Sequence, residues 1–162
     1  MTAILAAISD TSFAIGGDAG AFEETGSIVY TALEPKVFRL GKSLVGVAGS
    51  FRTMEVAKRA ANGDPYALRD YLQQILGQSP DEFSVLVVNS TGIYEIAEDY
   101  SVLPIREPYV CVGAASGVGT GALAALYPSL EPKEAVKAAL VVTARHSTMC
   151  VPPFKVFSDN IF

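Results

Sequence analysis

The chain begins MTAILAAISDTSFAIGGDAG, with a threonine directly behind the initiator methionine and an aspartate set among glycines. An N-terminal threonine can run acyl-transfer chemistry with very few helpers. Once Met1 is removed, the Thr2 hydroxyl can attack a peptide carbonyl while the residue's own α-amine takes the proton. A free α-amine has a reference pKa of roughly 7.7–8.0, close enough to neutrality to serve as base. The condition is strict, because with Met1 in place that nitrogen is an amide and is not basic. The same stretch also has a purely structural reading, in which Thr2 opens a β-strand, Gly16, Gly17 and Gly20 turn the chain, and Asp18 is a turn residue.

Other stretches compete for a chemical reading. Gly117-Val118-Gly119-Thr120-Gly121-Ala122 fits G-x-G-x-x-A, follows a predicted strand and opens a predicted helix, as a dinucleotide-binding turn would. Such a unit needs a strand after its helix, whereas residues 132–145 read as a second helix, so close packing by small residues is the better account. Gly41-Lys42-Ser43 resembles the end of a P-loop, but Lys36 stands where the required earlier glycine should be. His146 is the sole histidine, which leaves no histidine cluster for a metal; it reads as a helix-end residue near the C-terminal dipole. Glu23-Glu24 and Glu98-Asp99 read as solvated polar turns. Cys111 and Cys150 lie far apart and in no C-x-x-C pattern. They suit small hydrophobes of a reducing compartment, although their spacing leaves a disulfide open.

Composition narrows the class further. With 162 residues, half of them hydrophobic and 18% charged, the chain is expected to form a single domain, 1–162, with a well-buried core. The net charge of −5 is offset by no basic cluster, which argues against nucleic acid or an acidic membrane surface as partner. No apolar run approaches the about 18 residues of a membrane span, and the N-terminus lacks the pattern of a signal peptide. A cytoplasmic location is the resulting expectation.

The elements that must position these residues follow from periodicity. Strands are predicted at Thr2–Ile8 and Ser12–Gly17, joined at Asp10-Thr11, and at Ser27–Thr31 and Lys36–Leu40, paired around Glu34-Pro35. Ser43–Ala48 adds a buried strand. A helix with Met54, Ala57 and Ala61 on one face is predicted to end at Asn62-Gly63. A second, capped by Asp64 with Pro65 at its first position, carries Leu68, Tyr71, Leu72, Ile75 and Leu76 before Gly77. Strands at Phe83–Val88, Ile93–Ala97 and Tyr109–Val112 precede helices at about Gly119–Tyr127 and Pro132–Arg145, and Phe154–Phe157 closes the chain. Helices in consecutive pairs over mostly antiparallel strands indicate an α+β layered fold.

In this order of elements the chain resembles the proteasome family, HslV-like peptidases included. The carrying residues are Thr2, the strand-turn AIGGDAG with Asp18, the strand KVFRL, VGVAGS leading into a helix, and YVCVGAASG entering a small-residue helix. The similarity spans nearly the whole chain. It implies the four-layer αββα sandwich of N-terminal nucleophile hydrolases and assembly into homo-oligomeric rings.

The resemblance also implies roles. Thr2 would be nucleophile and, through its amine, general base. Asp18 would orient and charge-balance the site, and the positive charge of Lys36 would lower the amine's pKa. Gly49 would offer its backbone N–H to the oxyanion, and Ser116 would match the serine of the later glycine-rich turn. Neither a cofactor nor a metal is called for. Where the resemblance implies a supporting aspartate late in the last helix, this chain has Arg145, His146 and Ser147. Two functional classes follow. One is a threonine-type endopeptidase, active if Met1 is removed, that cuts polypeptides delivered by an ATP-dependent unfoldase. The other is a catalytically silent ring or assembly subunit.

Overall fold

The computed structural model describes residues 2–22, 28–31, 34–78 and 81–162. Eleven strands and four helices are placed among these residues. β1 (Ile4–Ile8) and β2 (Ser12–Gly17) form the expected hairpin and the centre of a four-stranded sheet in the order β10-β1-β2-β11, where β10 is Tyr109–Val112 and β11 is Lys155–Asn160. A second sheet has the order β5-β6-β7-β8-β9, from Val37–Leu40, Ser43–Gly49, Phe83–Asn89, Gly92–Ala97 and Val102–Ile105. All of these pairings are antiparallel.

Side-chain alternation shows how the sheets are layered. In β1, Ile4 and Ala6 point into a cluster shared with Phe13, Ile15, Leu44, Leu86 and Val88, which lies between the two sheets. Leu5 and Ala7 point the other way, onto α3 (Ser116–Leu126) and α4 (Pro132–His146) through Leu123, Val136 and Leu140. In the second sheet, Val45, Val47, Val85 and Val87 face α1 (Phe51–Lys58) and α2 (Pro65–Leu76), meeting Met54, Leu68 and Leu72. Each sheet is covered on both faces, so β1 and β6 read as nearly unbroken apolar runs instead of alternating ones. The result is helices, sheet, sheet, helices: the α+β four-layer αββα sandwich expected from the sequence.

Small residues set the distances between layers. A Cβ on Gly16 would lie 2.5 Å from Val136 Cγ1, under α4, and one on Gly46 would lie 2.4 Å from Ile4 Cγ2, between the sheets. The helix starts are also sequence-encoded. Ser50 accepts from Thr53 N at 3.2 Å to begin α1, and Asp64 accepts from Tyr66 N and Ala67 N ahead of Pro65 in α2.

Several expectations need correction. The strand after the Asp18 turn does not pair around Pro35. β4 (Ile28–Thr31) instead pairs with β3 (Gly20–Phe22), a short strand the sequence reading took as turn, and β5 pairs with β6 in the other sheet. Glycine-rich Gly20-Ala21 lacks the β-branched signal that marks a strand. β9 also escaped notice because Pro104 interrupts it, and its place at the edge of the sheet tolerates a proline. α1 ends earlier than predicted, at Lys58. Ile75 is 48% exposed, so the buried stripe of α2 is Leu68, Leu72 and Leu76. Met1, Glu23, Glu24 and Ser27 lie outside the described residues.

The glycine-rich string at 117–122 is no dinucleotide turn. β10 pairs antiparallel with β1, and α3 is followed by α4, not by a strand. Close packing explains only Gly119, whose Cβ would meet Cys111 Sγ at 2.4 Å, while Gly117 and Gly121 face open space. Cys111 and Cys150 are buried free thiols, both pushed up to about 12 chiefly by burial, and so held protonated.

Candidate active site

Asp18 follows β2 directly and turns back towards the residues that precede β1. Its backbone N–H donates to the Ala3 carbonyl at 3.2 Å, and Ala3 N–H donates to Asp18 Oδ1, also at 3.2 Å. Hairpin register therefore brings two positions sixteen apart into contact. Thr2 Oγ1 donates to the same Oδ1 at 2.6 Å. The other carboxylate oxygen, Oδ2, accepts from Gly20 N and Val151 N, both at 3.1 Å. A carboxylate holding this many donors is fixed in orientation.

Lys36 enters from the opposite sheet, one residue before β5. Its Nζ donates to Thr2 Oγ1, to Asp18 Oδ1 at 2.9 Å and to the Gly20 carbonyl at 2.5 Å. Thr2, Asp18 and Lys36 are all nearly inaccessible, at 2%, 2% and 5% exposure. Burial pushes the Lys36 ammonium down from its ordinary range, against the pull of the adjacent Asp18 carboxylate. The threonine oxygen thus donates to a carboxylate and accepts from an ammonium, which polarises it as a nucleophile requires.

Thr2 also forms the base of a cleft of about 470 Å³ whose walls include Ala48, Gly49, Phe83, Gly113 and Ala114. Gly49 ends β6 at φ +124°, and a Cβ there would lie 2.4 Å from the Glu82 carbonyl oxygen. Gly113 follows β10 at φ +101°, and its Cβ would lie 2.1 Å from the Thr2 carbonyl oxygen. Both positions demand glycine on two grounds, conformation and space.

The structure therefore brings Thr2, Asp18 and Lys36 together and places Gly49 on the same cleft. Ser116 is not among the residues lining the cleft. It is the first residue of α3, its N–H donates to the Gly113 carbonyl at 3.1 Å, and its side chain makes no hydrogen bond to Thr2 or Asp18 among the described residues. Sequence reasoning missed Val151 and Gly113. Each acts through backbone and close approach, so its side chain gives no chemical signal.

No protein-family model and no curated protein sequence matches the chain. Solved structures do. Thiobacillus denitrificans BPH in complex with epoxomicin superposes with a TM-score of 0.81 at 21% identity, covering 99% of this chain and 100% of that one. Another structure of Thiobacillus denitrificans BPH gives 0.79 at 21% identity, with 99% of each chain covered. Eukaryotic HslV from Trypanosoma brucei gives 0.77 at 17% identity, covering 97% of this chain and 98% of its own. With its two antiparallel sheets between paired helices and its end-to-end match to these structures, the chain has the HslV-like fold of the proteasome family.

Proposed function

We propose that the chain is the subunit of a proteasome-like threonine peptidase that cuts polypeptides within a ring of its own copies. One observation carries the reading: the Thr2 hydroxyl is held between Asp18 and Lys36 at the base of an open cleft. In the proposed reaction Met1 has been removed. The Thr2 α-amine takes the hydroxyl proton as Oγ1 attacks the peptide carbonyl, and the Lys36 charge keeps that amine neutral. The oxyanion meets the Gly49 N–H. The amine then passes its proton to the leaving nitrogen, and water hydrolyses the ester left on Thr2, restoring the enzyme. Ser116 supports the site by bracing the turn that carries Gly113. An ATP-dependent unfoldase would deliver folded substrates. The steps draw on no cofactor or metal.

The test joins intact-mass spectrometry of the purified protein to a peptide-hydrolysis assay. The expected result is a mature chain starting at Thr2, with cleavage that disappears in Thr2→Ala while Thr2→Ser keeps part of it. Retained Met1, or equal cleavage by Thr2→Ala, would remove Thr2 from the chemistry. A second reading, a silent subunit, draws on the end of α4. There Arg145 and His146 stand where the resemblance implies an aspartate.

A further inference from the structure

The cleft above Thr2 is negatively charged. Glu82, just before β7, and Glu98, just after β8, both line it, and no Lys, Arg or His is among its lining residues. The register Ser84↔Ala97 brings the two carboxylates to the same end of the β7–β8 hairpin. Neither has a hydrogen bond or ion pair among the described residues. Ser84, on the same lining, donates its hydroxyl to the half-buried Glu95 at 2.6 Å. Two like charges lining one cleft give it a negative potential, to which a cation would be drawn.

The rest of the wall fits the same ligand. Ala48, Phe83 and Ala114 offer apolar surface beside the carboxylates. An arginine or lysine needs this combination, with apolar contact for its stem and carboxylates for its head. Two exposed carboxylates without further ligand groups suit an organic cation better than a divalent metal, which takes more oxygen ligands. We infer that the substrates are polypeptides carrying arginine or lysine next to the bond to be cut, its cationic head seated between Glu82 and Glu98. The inference rests on the peptidase reading of Thr2 and adds the substrate class.

The test uses internally quenched peptides of one sequence with arginine, its neutral isostere citrulline, or glutamate at each of the two residues on either side of the scissile bond. Binding of the same peptides to the full-length Thr2→Ala chain is measured in parallel by fluorescence anisotropy. At one position, arginine should raise kcat/KM about fivefold or more over citrulline, as expected for two partly solvated ion pairs. Glutamate should rank last, and Glu82→Gln with Glu98→Gln should collapse the ratio towards one. Salt should shrink it as well. Cleavage without arginine preference overturns this inference and leaves the peptidase reading standing. Tighter binding of the arginine peptide to Thr2→Ala, with no cleavage by the native chain, keeps the cation-binding cleft and removes the peptidase. Equal binding of arginine and citrulline peptides with no cleavage removes both.

Discussion

Burial pushes the Lys36 ammonium down while Asp18, 2.9 Å away, draws it back. A lysine with its folded pKa below the unfolded one contributes stability above about 10.4 and loses it as pH falls through the folded value. At neutral pH this ammonium is therefore kept at a cost to stability. In the proposed reaction its return is electrostatic, since a cation against Thr2 would disfavour a second charge on that residue's freed amine. Lys36→Met should lower kcat/KM by about a hundredfold or more. The acidic limb of the remaining activity should move up in pH, towards roughly 7.7–8.0. An unmoved limb would deny Lys36 this influence. Asp18→Ala strips the partner from a buried cation and leaves the Val151 and Gly20 N–H groups without their acceptor. Urea unfolding should register a loss of about 3–5 kcal/mol. Thr2 was legible from its chemistry at that position, whereas Asp18 and Lys36 were legible only through the resemblance to the proteasome family. Gly113 and Val151 were not, because a glycine's missing Cβ and a backbone N–H look the same anywhere in a chain.

Among the elements, Gly46 in the middle of β6 governs how near the two sheets come. Gly46→Ala would push a methyl into Ile4 and, at 3.1 Å, Ile15 and Val37, all completely buried. The expected loss is about 1–3 kcal/mol, read as a lower urea midpoint with unchanged slope. A neutral result would mean that the sheets separate freely at this point. Elements with strong local signals, such as β1, β7 and α2, were legible because short apolar runs and helix caps act locally. β3 and β9 were hidden for opposite reasons, one by glycine and one by proline. The pairing of β4 could not be read at all, because two strands compete for it and only the layering of the whole fold decides between them.

At the scale of the molecule, paired helices outside two sheets were readable from element order alone, while contacts between copies were not. α3 leaves Gly117, Gly121, Ala124 and Ala125 uncovered, and α4 exposes Val141 and Val142. Among the described residues no helix is long and apolar enough to cross a membrane. The ring in the proposed function predicts, by native mass spectrometry, a closed multiple of the 17.1 kDa chain. A stable monomer at micromolar concentration would remove the ring from the proposal. Closure also matters within one chain. Val151 N–H reaches Asp18 across 133 residues of sequence, Ala19 N–H donates to the Val151 carbonyl at 2.8 Å, and β11 then zips along β2. Thr2 holds Asp18 from sixteen residues away, whereas the Val151 donor reaches the same carboxylate from 133 residues further along. A chain cut before Val151 would leave Asp18 with one donor fewer and its hold on Thr2 looser.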